Sequence, residues 1–242
     1  MESVIAVATY TGKVGKSTFT NTVLCPRMPG AKVIRLETVN ISGHSGADEK
    51  QMKGRDLVKL QDELVKTKSA IVDVGASNIE SFMLALNQQG DAHLDFDYFV
   101  VPIEANAAKH NEIKEAIKTI EMFEMMGVES ERIKVVFNKL PVDAILEEEM
   151  QIIFNYHKQK KNFTLNRDAV IHDTPAFKAL NDVKKSYAEL LADNTNYRQA
   201  IKDTPLENVK ERLALVKLMG AQGYVKNLNS QLDKVFDALF GE

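Results

Sequence analysis

A chain of 242 residues with 44% hydrophobic content is long enough to bury a substantial core. Its formal net charge of −3 excludes overall attraction to nucleic acid or membrane but leaves local basic patches open. A single cysteine, Cys25, excludes an internal disulfide and fits a reducing compartment.

No signal peptide opens the chain, and no apolar run approaches the ~20 residues that span a bilayer, so a soluble, cytoplasmic protein without stable membrane insertion is expected. No linker or low-complexity stretch divides it, which predicts one domain over 1–242 with a helical C-terminal extension over 195–242.

In chain order the pattern is strand, loop, helix, repeated. Residues 4–8 form a short apolar run, followed at once by Gly12 and Gly15; 16–24 is the next helix, closed by Pro26 and by Pro29-Gly30. A second strand covers 33–36, and the polar stretch 37–54 is predicted to be one long loop. Leu57, Leu60, Leu64 and Val65 recur at helical spacing within 55–67. A strand at 70–74 runs into Gly75, a helix follows at 79–86, and 97–103 is the next strand. Ile113, Ile117, Ile120 and Phe123 share one stripe of a helix over 111–126, which Gly127 ends. A strand at 133–137, a helix over 143–157 and a short strand at 169–171 complete the alternation.

The remainder is predicted to be helical. Val209, Leu213 and Val216, then Leu228, Leu232, Val235, Phe236 and Leu239, predict two amphipathic helices broken between Gly220 and Gly223. They either pack on the domain or serve self-association or a partner. Short, mostly unalternated apolar strands between amphipathic helices imply an α/β fold with a mostly parallel twisted sheet and helices on both faces. Ligands of such sheets bind beyond the carboxyl ends of the strands.

The chemistry-bearing residues fall at those ends. Gly12-Lys13-Val14-Gly15-Lys16-Ser17-Thr18 follows the first strand and opens the first helix, the setting a phosphate-binding loop requires. Glycines let backbone N–H groups turn inward around phosphates, and the helix N-terminus adds partial positive charge. Lys16 is placed to reach the β- and γ-phosphates of ATP, or the β-phosphate of ADP, and Ser17 to set its hydroxyl on Mg²⁺. Tyr10 stands where the general pattern has its first glycine; the plain alternative is a glycine-containing turn with a helix-capping serine. Asp73, at the end of the strand over 70–74, is a second candidate for Mg²⁺, held through water, or else caps the next turn. Asn138 follows the strand over 133–137 and either offers its amide to a purine edge or is a turn residue.

Three stretches together resemble the ParA/MinD class of P-loop ATPases: residues 8–18, 25–31 and 72–78. Within that class they most resemble StbB-type plasmid stability proteins. The likeness implies a P-loop NTPase fold of the SIMIBI type, slow or partner-stimulated ATP hydrolysis, an ATP-dependent homodimer and a plasmid-encoded partner. By resemblance Thr11, Gly12, Lys13, Val14, Gly15, Lys16, Ser17 and Thr18 form the nucleotide loop, and Thr174-Pro175 sits where relatives wrap the adenine. Thr174 as helix cap and Pro175 as first helical residue is a compatible reading.

The class-defining lysine falls at Thr11 and the second glycine of its pair at Lys13. Lys13 therefore either substitutes for that lysine across a dimer or is a solvated loop residue. Glu37 stands where relatives carry the aspartate that orients the attacking water, with Asn40 and Asp48 as further candidates. Lys158, Lys160 and Lys161 with Arg167, and farther on Lys178, Lys184 and Lys185, form basic runs that serve non-specific DNA contact or are solvated faces. Competing readings are a nucleotide-binding adaptor with little turnover and an ATP-dependent synthetase of the same fold. A redox relative of the nitrogenase iron protein type needs two cysteines per subunit, and this chain has one.

Overall fold

A computed structural model describes residues 1–37 and 49–241. Its strands are β1 Val4–Val7, β2 Lys32–Leu36, β3 Glu49–Met52, β4 Ala70–Val74, β5 Tyr98–Glu104, β6 Ile133–Leu140 and β7 Val170–His172. They form one seven-stranded sheet in the order β3-β2-β4-β1-β5-β6-β7, and every pairing among the described residues is parallel. The connection after β1 runs to β2 on one side and that after β4 crosses to β5 on the other, so connections diverge at the carboxyl ends of these central strands, the place where such sheets bind ligands.

The helices are α1 Lys16–Phe19, α2 Cys25–Arg27, α3 Leu57–Leu64, α4 Ile79–Gln88, α5 His110–Met125, α6 Leu146–Glu149, α7 Gln151–Lys160, α8 Pro175–Asn181, α9 Tyr187–Ala192, α10 Tyr197–Asp203 and α11 Val209–Phe240. They cover both faces. Alternate strand residues face opposite ways. Ala6, Ile34, Val72, Val101 and Val135 meet α3, α4, α5 and α7 on one side. Ile5, Val7, Val33, Ile71, Val100 and Val136 meet the first helix, α8, α9 and α11 on the other.

Four local expectations need correction. The stretch 37–54 is not all loop, because β3 pairs with β2 at the sheet edge. Its sequence Glu-Lys-Gln-Met carries no apolar run, since an edge strand buries little, and the neighbouring charges hold it in place. Lys32 of β2, Lys50 of β3 and Lys66 all pair with the buried carboxylate of Glu63 on α3, Lys50 at 2.6 Å and Lys66 at 2.9 Å.

The first helix does not close before Pro26. It runs through a π-helical turn, Thr20–Leu24, into α2. Proline has no N–H to give the preceding turn. Arg27 supplies the donor instead, its Nη1 reaching the carbonyls of Thr22 (2.9 Å) and Val23 (3.0 Å). The predicted helix over 143–157 is two pieces, α6 and α7, interrupted at Met150 (φ −112°, ψ 25°).

The tail is likewise not broken at its glycines: α11 is continuous for 32 residues. Glycine weakens a helix by only about 1 kcal/mol. Ala221, Val225, Leu228, Leu232, Val235 and Leu239 are buried on the sheet layer and carry the helix through. Arg27 ties it down further, pairing with Asp233 at 2.7 Å and bonding the Asn229 carbonyl at 3.1 Å. No helix among the described residues is long and apolar enough to cross a membrane.

Candidate phosphate-binding site

The loop between β1 and α1 is a closed turn at the head of the sheet. Its geometry begins with two residues in the left-handed region, Lys13 (φ 63°) and Gly15 (φ 88°). Gly15 is the residue before α1, and its carbonyl accepts the first helical bond from the Phe19 N–H at 2.8 Å. Only glycine fits there, because a Cβ at this position would run into the Nδ2 of Asn138. Lys13 lacks glycine's freedom, and a non-glycine residue in this region costs roughly 1–2 kcal/mol.

That strain is held by β6. The Asn138 Nδ2 donates to the Val14 carbonyl at 2.7 Å, and the Lys139 Nζ donates to the Lys13 carbonyl at 2.7 Å. Lys139 is itself left-handed (φ 59°), its N–H donates to the Asn138 Oδ1 at 3.0 Å, and Glu104 of β5 pairs with its ammonium at 3.0 Å. Asn138 is therefore buried and committed to the loop. In this structure the side chain buttresses the phosphate loop. Strained residues gathered at one place mark a functional site.

Lys16 is buried and folds back over the loop, its Nζ donating to the Thr11 carbonyl at 2.6 Å. Burial pulls its pKa down, and the charge of Asp73 opposes that shift. Ser17 and Lys13 are exposed, and so is Gly12. Thr11 is half-buried, and the Thr18 carbonyl accepts from the Thr22 hydroxyl at 2.8 Å. Tyr10, at the position of the missing glycine, lies under the Lys118 ammonium, 4.2 Å from its ring centre.

Asp73 stands at the carboxyl end of β4, 4% exposed. It is paired with Arg35 of β2, its register partner, at 2.7 Å. The other arm of that guanidinium donates to the Asn21 Oδ1 on the first helix at 2.8 Å. Glu37 follows β2 and lies beside Gly75, whose Cβ would stand 3.6 Å from the Glu37 Cγ. Asn40 and Asp48 lie outside the described residues. Thr174 caps α8, its hydroxyl accepting the Ala176 N–H at 3.3 Å, with Pro175 at the first turn.

Of the basic residues, Lys158, Lys160 and Lys161 are exposed together at the end of α7. Arg167 is paired with Glu147 and Lys185 with Asp193, and Lys178 and Lys184 are exposed. Two clefts of about 700 and 440 Å³ lie elsewhere, one between β7 and the end of α11, the other against Tyr98, Arg132 and Lys134.

The sequence brings Lys13 to Thr18, Asp73 and Asn138 to one end of the sheet as expected from their positions. Four participants were missed there. Arg35 sits in the otherwise apolar run 33–36, and only the pairing of β2 with β4 reveals its partner. Asn21 and the Lys139–Glu104 pair carry no local motif beyond the Asn-Lys dipeptide at a strand end.

No family model matches this chain, and no curated protein matches it. Among solved structures it is similar to McdA from Cyanothece, with 13% identity over 92% of this chain and 99% of that one and a TM-score of 0.48. It is also similar to a plasmid partition protein from Borrelia burgdorferi, with 11% identity, coverage of 92% and 100%, and a TM-score of 0.43. A third likeness is to pNOB8 ParA bound to nonspecific DNA, with 10% identity, coverage of 98% and 99%, and a TM-score of 0.47. At such identities the function has to be argued from the site.

Proposed function

We propose that this chain is a ParA-like P-loop ATPase of the StbB type, which binds ATP at the β1–α1 loop and dimerises in its ATP state. The role is plasmid partition or stability, or conjugation-linked positioning of DNA. The observation that carries the reading is the loop itself: Gly15 left-handed at a helix start, Lys16 buried over the Thr11 carbonyl, and β6 holding the turn in place. The helix dipole, inward-turned N–H groups and the Lys16 ammonium together suit a polyphosphate. On binding, the phosphates take the Lys16 ammonium from the Thr11 carbonyl, and their negative charge offsets the burial that lowers its pKa.

The donors available to Mg²⁺ are the exposed Ser17 hydroxyl and, through water, the Asp73 carboxylate. They are of the hard oxygen type the ion requires. When bound, the ion supplies charge neutralisation of the phosphates. Thr174-Pro175 at the start of α8 is the proposed adenine wall, and Glu37 the residue that orients water. The exposed Lys158, Lys160 and Lys161 give non-specific DNA a phosphate-neutralising contact.

Exposed Lys13 is the proposed trans-acting lysine. Sedimentation velocity of the full chain tests this: ATP with Mg²⁺ gives a dimer and ADP a monomer, and a single unchanged species in every nucleotide state refutes the switch. The second reading, a nucleotide-binding adaptor with little turnover, is favoured by one observation: Asp73 is already occupied by Arg35.

A further inference from the structure

The start of α11 overhangs the domain. No residue from Pro205 to Gly220 is buried, and burial begins only at Ala221, where the helix reaches the sheet layer. One side of the overhang is held by α10 and the chain before it. The Arg212 Nη1 donates to the Ile201 carbonyl at 2.6 Å, and the Gln222 Nε2 to the Asp193 carbonyl at 2.8 Å. The other side is bare: Leu206 is 77% exposed, Val209 56%, Leu213 57% and Val216 44%. Apolar residues exposed singly are ordinary, but a contiguous apolar stripe marks an interaction surface.

The charges beside the stripe say what covers it. Within α11, Val209, Leu213, Val216 and Gly220 recur at intervals of four, three and four, the spacing of a coiled-coil seam, with Leu206 three residues ahead. The side chains that flank such a seam choose its partner. Here they are Lys210 and Lys217 on one side and Arg212 on the other. Both lysines are exposed, and among the described residues no carboxylate pairs with either. Glu211, the one acid between Val209 and Gln231, falls on the opposite face of the helix. A second copy fits poorly. Paired in parallel it sets Arg212 against Lys217, and antiparallel it sets lysine against lysine, and like charges across an interface are costly. Nucleic acid has a use for the lysines and none for the aliphatic stripe. A bilayer surface selects Trp, Phe and Leu above a polar face dense in lysine, and this stripe has neither Trp nor Phe and only two flanking lysines.

We propose that the overhanging start of α11 docks an amphipathic helix of another protein, one with aliphatic residues along its own seam and glutamate or aspartate beside them. The stripe from Leu206 to Val216 covers the partner's seam, and Lys210 and Lys217 take its carboxylates. Open space at Gly220 admits a large side chain from the partner. Because α11 is already folded, docking orders the partner alone. The inference goes beyond the nucleotide reading and does not rest on it.

The test is fluorescence anisotropy of two labelled synthetic peptides with the full chain in nucleotide-free buffer. Both are about three heptads long with leucine along the seam; one carries glutamate at the flanking positions and the other lysine, and like charges keep each from pairing with itself. The acidic peptide is expected to bind with a dissociation constant of about 10 μM or below, about tenfold or more tighter than the basic one. Lys210→Glu together with Lys217→Glu should reverse that preference, and Leu213→Asp should abolish binding. All three positions are exposed, so the fold is spared. Equal binding of the two peptides, no binding of the acidic one, or binding that survives Leu213→Asp overturns the proposal. Three other occupants are tested with the parent and Leu213→Asp: phosphatidylserine–phosphatidylcholine vesicles, a random-sequence DNA duplex, and the chain itself in sedimentation velocity. Binding to any of them that Leu213→Asp removes assigns the stripe to that occupant and overturns the proposal. None of these outcomes alters a titration of ATP, so the nucleotide reading stands or falls separately.

Discussion

Replacing Asn138 by alanine separates the two jobs an asparagine can do at this strand end. The side chain is 2% exposed and bridges the Val14 carbonyl at 2.7 Å and the Lys139 N–H at 3.0 Å. Its removal leaves both groups without that partner, at about 1–3 kcal/mol for a buried donor or acceptor. It also releases a loop that holds Lys13 at φ 63°. A total of about 2–4 kcal/mol in a chain of this size corresponds to a fall in melting temperature of about 5–10 °C. Calorimetry should show ATP and inorganic tripolyphosphate weakened alike, by about tenfold or more, because the damage is to the phosphate loop. A variant that melts within about 1 °C of the parent, and loses affinity for ATP but not for tripolyphosphate, would refute the buttress and restore a base-reading role.

Gly220→Ala and Gly223→Ala, both exposed with open space where a Cβ would go, should each stabilise the protein by roughly 0.5–1 kcal/mol in a denaturant melt. The Lys32, Lys50 and Lys66 ammonium groups hold the Glu63 carboxyl far below its ordinary 4.5. A depressed acid contributes stability that is present above its unfolded value and lost as pH falls toward the folded one. Melting temperature should accordingly drop more steeply for the parent than for Glu63→Gln between about pH 5 and pH 3, and parallel curves would count against the cluster. Lys13→Ala should leave ATP affinity of the monomer within about threefold while impairing the ATP-dependent dimer; an unchanged dimer makes Lys13 a solvated loop residue.

The strands that read clearly in the sequence are the central ones. A buried parallel strand needs an apolar run, and β1, β2, β4, β5 and β6 each have one. β3 has no apolar run to read: Lys50 pairs with Glu63, thirteen residues away, and Met52 packs against the core. Gly220 and Gly223 looked like a break, since local propensity is read without the buried stripe that overrides it. At the site, the loop is local and its motif carries the position of Lys16 and Gly15. The contacts that set its shape are not: Asn138 reaches Val14 across 124 residues, and Arg35 reaches Asp73 across 38. No spacing rule encodes such pairings, and only the order of strands in the sheet creates them.

The central claim is that Lys16 closes a polyphosphate site. Burial already disfavours its charged form, so the ammonium gains most from a phosphate partner. Titration of ATP into Lys16→Ala is the direct measurement, with circular dichroism and melting as the folding control. The account predicts a folded variant whose ATP affinity falls by about a hundredfold or more. A folded Lys16→Ala protein that binds ATP as tightly as the parent would contradict it.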